Sequence, residues 1–143
     1  MILLGVTAGL ALPNFSETYG KIVFQKSVAD LAGAMRYAQA RAVSHKRAQE
    51  IQFDVSEQSY WLMQRSEDSS ELSEVYEPVE TRLGRKNKIP EQIKLDAQNR
   101  SIRFYTDGTM DKTRLYLTHR DQTMTISTQE QQGQVRVFDF KVE

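Results

Sequence analysis

The sequence predicts an α+β fold, in which one long N-terminal α-helix packs on antiparallel β-sheet. Over the first third of the chain, apolar residues recur at steps of three and four, the period of one helix face. From Ile51 onward they alternate with polar residues, as in a half-buried strand. Turn residues recur every ~8–12 positions from about Asn99. These patterns divide the chain into three parts: an apolar segment at 1–13, a helix at 14–47 and a β domain at 48–143.

The first part, residues 1–13, is uncharged and ends at a proline. It is too short to span a membrane, which takes about 20 residues, and it lacks the basic start of a secretory signal peptide. One interpretation is a shortened signal peptide, with Gly9 and Ala11 as small residues for a cleavage site. We favour another, the end of a membrane helix whose beginning lies upstream. Its predicted membrane or assembly residues are Ile2, Leu3, Leu4, Leu10, Leu12 and Pro13.

The second part has the start, faces and end of a helix. Asn14 and Glu17 have the spacing of a capping box, and His45, Lys46 and Arg47 place positive charge at the negative end of the helix dipole. The second half carries an apolar seam that is predicted to pack on the sheet: Val28, Leu31, Met35, Ala38 and Ala42. The β domain is too small to cover the first half, so its apolar residues are predicted to contact partner helices: Phe15, Ile22, Val23 and Phe24.

The third part contains a series of strand candidates. Residues 51–55 alternate apolar and polar side chains, and residues 60–63 return after a turn as a hairpin. Asp107-Gly108 predicts a tight turn after a strand at 102–104, with residues 115–117 continuing on its far side. Further strand candidates lie at 75–79, 89–95, 124–126 and 135–142.

Composition argues against several classes of function. Lys and Arg number 19, as do Asp and Glu, so the net charge is zero and gives no electrostatic reason to expect nucleic acid as a partner. The chain has no cysteine, which excludes disulfides and thiolate metal sites. One small basic cluster is flanked by Glu80 and Glu91 and is predicted to be a solvated loop: Arg82, Arg85, Lys86 and Lys88.

Residues with catalytic or metal-binding chemistry are few. His45 and His119 have no partner at zinc-ligand spacing. Residues 107–111 lack the third oxygen ligand and the distal glutamate of an EF-hand loop. No nucleophile-elbow motif and no glycine-rich phosphate loop is present. The sequence therefore predicts neither an enzyme nor a bound cofactor or metal.

Two segments of the helical region resemble a known family. Residues 11–15, Ala-Leu-Pro-Asn-Phe, and residues 30–43, Asp-Leu-Ala-Gly-Ala-Met-Arg-Tyr-Ala-Gln-Ala-Arg-Ala-Val, resemble the pseudopilins and minor type IV pilins. The resemblance is greatest to the H-type minor pseudopilins of type II secretion. Residues 89–95, 102–108 and 133–136 resemble segments of the same family in the same order, with Thr106 in place of the family's usual proline.

The resemblance implies a pilin-like fold and a structural role. Members sit in the bacterial inner membrane by a single N-terminal helix, with the β domain in the periplasm. They assemble with other pseudopilin or pilin subunits through that helix, and secreted cargo is a further candidate partner. The family's basic leader, cleavage site, methylated phenylalanine and following glutamate are not found here, which implies that this sequence starts partway through the membrane helix.

Two alternative functions stay open at this point. The first is a minor type IV pilin for pilus assembly, adhesion or DNA uptake. Residues 136–143 carry two acidic and two basic side chains, and the lack of a basic patch there favours secretion over DNA uptake. The second is a soluble periplasmic binding module, which requires that residues 1 to about 11 are removed and that the whole helix folds back onto the sheet.

Overall fold

The computed structural model describes residues 15–143, in which one helix precedes two antiparallel sheets. The residues predicted to contact the membrane, Ile2, Leu3, Leu4, Leu10, Leu12 and Pro13, lie outside the described residues, as does the predicted helix cap Asn14. In chain order, the elements are α1 (Phe15–His45), β1 (Gln49–Asp54), β2 (Ser59–Arg65), β3 (Tyr76–Pro78), a 3-10 helix (Arg82–Gly84), β4 (Asn87–Lys88), β5 (Lys94–Ala97), β6 (Ser101–Phe104), β7 (Arg114–His119), β8 (Gln122–Ser127) and β9 (Arg136–Phe138).

The helix α1 contains 31 described residues, and its length is therefore about 46 Å. It ends at His45, and the next residue, Lys46, has a left-handed backbone with φ of 54°. All five positions predicted to pack on the sheet are buried, with at most 1% exposure: Val28, Leu31, Met35, Ala38 and Ala42. The spacing of three and four residues thus identifies the inward face of α1 correctly.

The first sheet has the strand order β3-β2-β1-β6. β3 pairs with the end of β2, at residues 63–65, and β4 pairs with its start, at Ser59 and Tyr60. In the predicted hairpin of β1 and β2, Ile51 lies opposite Leu62. Asp54 closes the turn between them, because its carboxylate accepts hydrogen bonds from the Ser56 hydroxyl at 2.7 Å and the Glu57 amide at 3.0 Å. These bonds lower the pKa of Asp54.

The second sheet has the order β5-β7-β8-β9. Its central hairpin pairs Leu115 with Ile126 and Leu117 with Met124. The C-terminal residues lie against this sheet, because the Thr125 hydroxyl donates to the carbonyl of Phe140 at 2.8 Å. All pairings in both sheets are antiparallel.

The predicted continuation of β6 into β7 as a hairpin is wrong in its pairing. β6 pairs with β1, whereas β7 pairs with β5 and β8. After the turn at Asp107-Gly108 the chain makes one isolated bridge, from Phe104 to Met110, and then crosses to the second sheet. Alternating apolar residues show which side of a strand is buried, but they do not specify which strand is the neighbour.

The side chain of Gln39 links α1 to turns from two parts of the β domain. Its Nε2 donates to the carbonyl of Gly108 at 2.8 Å and to the carbonyl of Gly133 at 2.7 Å. Both glycines have positive φ, 88° and 73°, which favours glycine at these turns. One turn away on the helix, the Arg36 guanidinium donates to the carbonyl of Val135 at 3.1 Å. α1 therefore holds both turns through polar contacts as well as through its apolar face.

Candidate assembly interface

The end of the β7–β8 hairpin lies against one face of the first half of α1. A side chain at Gly20 would bring its Cβ within 3.1 Å of His119 Nε2, so the glycine lets the imidazole lie against the helix. The same ring lies 5.7 Å from the ring of Phe24, centroid to centroid. His119 is thus a packing residue, and its Nδ1 lies 3.2 Å from the carbonyl oxygen of Gln92.

This contact corrects the prediction that Phe24 is available to partner helices. Phe24 is completely buried, and Val23 is partly buried against the core. The reason is that the β7–β8 hairpin reaches Gly20 and Phe24, in the half of α1 that we expected the β domain to be too small to cover. At the tip of that hairpin, Arg120 also approaches the carboxylate of Glu17 at 3.5 Å. Both side chains of that pair are about 60% exposed, so the ion pair adds little stability.

The outward face of α1 has an exposed stripe of mostly small or apolar residues. We call this the outward stripe; it consists of Tyr19, Ile22, Lys26, Ala29, Gly33, Tyr37, Ala40 and Ser44. Steps of three and four residues align these positions along the helix, opposite the buried seam. Of the residues predicted to contact partner helices, Ile22 lies on this stripe and is 57% exposed. Phe15 begins the described part of α1.

Gly33 is the most informative member of the outward stripe. A Cβ built at this position meets no atom within 4 Å, so nothing in the described fold requires a glycine here. A glycine within a helix costs roughly 1 kcal/mol relative to alanine. Ala29 is four residues before Gly33, so the stripe is shallow over about one turn, and Tyr37, four residues after Gly33, borders this shallow region. Such a shallow surface allows a second helix backbone to approach closely.

The described residues offer no arrangement for metal chemistry or for crossing a bilayer. Within residues 15–143, no group of three or more His, Asp or Glu side chains is placed to hold a metal ion. In the same range, no helix combines the length and the apolar composition that a membrane span requires.

Solved structures with a similar fold come from two kinds of assembly. The minor pseudopilin EpsH of the type 2 secretion system of Vibrio cholerae matches with a TM-score of 0.68 and 10% identity, over 85% of this chain and 99% of that one. A crystal structure of EpsH matches with a TM-score of 0.58 and 11% identity, over 88% and 94%. The type IV minor pilin FimU of Pseudomonas aeruginosa has a TM-score of 0.58 and 17% identity, over 80% and 87%.

These structural matches establish a pilin-like fold: one N-terminal helix packed on antiparallel sheets. Among curated protein sequences, none matches this chain significantly. A family model described as type II transport protein GspH matches residues 27–137, which is well over half of the chain. The matched range includes the buried seam of α1 and both sheets. The chain therefore belongs to the GspH family of type II transport proteins.

Proposed function

We propose that this chain is a structural minor pseudopilin of type II secretion, which assembles by packing α1 against the helices of neighbouring pseudopilin subunits. In this role it helps a periplasmic pseudopilus to export folded proteins across the outer membrane. The family match and the shared fold with EpsH support the secretion role. The chain acts in this proposal through contacts between subunits, without catalysis and without a cofactor.

The observation that carries the helix contact is the difference between the two faces of α1. The inward face is fully used by the chain's own fold, from Phe24 to Ala42. The outward stripe exposes Ile22 and is shallow at Gly33. The glycine lowers the stability of the helix there, although no contact in the chain's own fold requires it. A partner helix lying along the stripe would bury Ile22 and would use the space above Gly33.

The same proposal assigns the membrane contact to residues 1–13. Their uncharged, leucine-rich composition suits the hydrocarbon part of a bilayer. They precede α1 directly, so the helix would lead from the inner membrane into the periplasm, where the β domain would lie. Secreted cargo is a further proposed partner, and the surfaces of the β domain are the places where it would bind.

A minor type IV pilin is the second candidate function, and the similarity to FimU is the observation that favours it. The fold is common to both kinds of subunit, so it does not distinguish them. The GspH family match favours secretion.

Complementation tests the choice between the two functions. The gene is deleted in the organism that encodes it, and secretion of folded exoproteins and twitching motility are both measured, with and without the gene supplied in trans. We expect the deletion to reduce secretion and the supplied gene to restore it, while twitching stays unchanged. Loss of twitching with normal secretion would show that the chain is a pilin of a type IV pilus.

A further inference from the structure

The basic cluster of the sequence lies beside the first half of α1. A groove of about 690 Å³ separates the two, and α1 contributes Tyr19, Val23 and Lys26 to its wall. Four exposed basic side chains line the other wall: Arg82, Arg85, Lys86 and Lys88. We call this groove, with its four basic side chains, the cationic groove.

Three of these basic side chains have no ion-pair partner in the part of the chain that the structure describes. Lys86 pairs with Glu57 at 2.6 Å, and Lys26 of α1 pairs with Asp30 at 3.1 Å. Within residues 15–143, no carboxylate lies within 4 Å of the charged groups of the other three: Arg82, Arg85 and Lys88. Residues 80–91 contain four basic and two acidic side chains, so this segment keeps a surplus of positive charge.

The cationic groove lies at the end of the domain that is nearest to residues 1–13 along the chain. α1 begins at Phe15, two residues after Pro13, and Tyr19 lies about 6 Å further along the helix axis. The headgroup layer on either side of a bilayer is about 5–7 Å thick. With residues 1–13 in the hydrocarbon, as proposed above, Tyr19 lies at the level of the headgroups, and the charges of the groove act on them over a Debye length of about 8 Å.

The side chains at this end are those that favour a membrane surface. Tyr19 is 67% exposed, and exposed aromatic residues are enriched at the boundary between hydrocarbon and water. The planar guanidinium of arginine binds phosphate oxygens through two hydrogen bonds, and the groove has two arginines without a carboxylate partner. The β7–β8 hairpin, which reaches the same end of α1, has no such surplus, because Arg120 pairs with Glu17 at 3.5 Å and Asp121 follows it.

We propose that the cationic groove binds the phosphate headgroups of anionic phospholipids while the chain lies in the membrane, before assembly. Arg82, Arg85 and Lys88 would contact the phosphates and would hold the β domain on the membrane surface. This inference rests on the proposed membrane contact of residues 1–13. Because Tyr19 also belongs to the outward stripe, a partner helix that packs along the stripe would replace the lipid, and the two contacts are successive.

Binding of the full 143-residue chain to lipid vesicles tests the proposal. Vesicles of phosphatidylcholine alone report on residues 1–13, and the gain on replacing about one third of the lipid by phosphatidylglycerol reports on the groove. Each basic side chain near an anionic surface strengthens binding by about fivefold. We expect the partition coefficient to rise at least about tenfold at low salt, and high salt to remove most of that gain.

Two triple variants separate the groove from net charge. One removes the cations of the groove that lack a partner: Arg82→Gln, Arg85→Gln and Lys88→Gln. The matched control removes the same charge from cations near the end of α1 remote from residues 1–13: Lys46→Gln, Arg65→Gln and Lys112→Gln. None of the six side chains forms an ion pair with another residue of 15–143, so both variants should melt within a few degrees of the wild type. The groove variant should lose most of the gain from anionic lipid, and the control should keep it.

A fluorescent label locates the contact. The chain has no cysteine, so Thr81→Cys provides a unique thiol next to Arg82, at an exposed position whose side chain makes no capping hydrogen bond. Leu72→Cys is the control site, because Leu72 is fully exposed in the segment that leaves the other end of β2. In anionic vesicles that carry a quencher on the headgroup, we expect stronger quenching at position 81 than at position 72. The groove variant should remove that difference.

The results distinguish this inference from the function on which it rests. Equal quenching at the two positions, or a groove variant that keeps the full gain from anionic lipid, would overturn the lipid site and leave an acidic protein surface as the occupant of the groove. Binding to neutral vesicles would then still support the membrane contact of residues 1–13. Absence of binding to neutral vesicles would overturn both proposals.

Discussion

Substitutions at Gly33 should affect the stability of the domain and its assembly in opposite directions. Gly33 lies in the middle of α1, and an added Cβ meets no atom within 4 Å. Glycine in a helix interior is about 1 kcal/mol less favourable than alanine or leucine. We therefore expect Gly33→Ala and Gly33→Leu both to raise the free energy of unfolding by about 1 kcal/mol and the melting temperature by about 4 °C.

Assembly should respond differently to the two substitutions. A leucine at position 33 would fill the space in which a partner helix is expected to approach, whereas an alanine adds a single carbon. We expect Gly33→Leu to abolish rescue of secretion in the deletion strain and Gly33→Ala to retain most of it. Gln25→Leu is the control, because it adds a leucine to an exposed position of α1 about 80° around the helix from Gly33.

Two results would refute this reasoning. If Gly33→Leu lowered the melting temperature, the glycine would be required by the fold itself, against the open space observed around it. If Gly33→Leu were more stable and also secreted like the wild type, the outward stripe would not be a close helix contact. Thermal unfolding followed by circular dichroism and the secretion assay together distinguish these cases.

Four further substitutions test other parts of the fold. Leu31→Asp should prevent folding, since it places a charge at a completely buried position. Ile22→Asp should change the melting temperature by no more than a few degrees and should abolish assembly. A large loss of stability in Ile22→Asp, measured by thermal unfolding, would contradict this division of α1 into an inward and an outward face. Gln39→Ala removes two hydrogen bonds and should cost about 1–3 kcal/mol in urea denaturation; no change would show that these bonds are not important for stability. Hydrogen bonds from the Thr109 hydroxyl and amide lower the pKa of Asp107 below its ordinary 3.8, so the ionised carboxylate stabilises the fold above pH 3.8 and loses that effect on acidification. Asp107→Asn should therefore be less stable than the wild type at neutral pH, and the two urea midpoints should converge as the pH falls below 3.8; a gap that widens with acid would contradict the assignment.

The sequence predicted the inward face of α1 because burial on one helix face leaves a clear period, here from Val28 to Ala42. It predicted most strands for a similar reason, since apolar and polar residues alternate in them. It failed for Phe24, because the covering residue, His119, comes from a hairpin almost a hundred positions later. It also failed for the pairing of β6, because periodicity carries no information about the neighbouring strand.

The surroundings of the basic cluster at 82–88 could not be predicted for a related reason. Arg82, Arg85, Lys86 and Lys88 are visible in the sequence as a basic cluster, and their flanking glutamates favour a solvated loop. Only the fold places that cluster beside Tyr19 and Val23 of α1, where it borders an apolar floor. The small residues of the outward stripe were visible in the sequence, but the open space above Gly33 is a property of the folded chain.

The contacts of Gln39 also determine how the domain responds to force. A force applied along α1 is transmitted through the side-chain amide of Gln39, which donates hydrogen bonds to the carbonyls of Gly108 and Gly133. Those turns precede β7 and β9 of the second sheet, so one side chain passes the load to two strands of that sheet. Because both hydrogen bonds come from the same nitrogen, the force acts on both turns, and we expect them to separate from α1 together. We therefore expect the helix α1 and the β domain to move together under such a load.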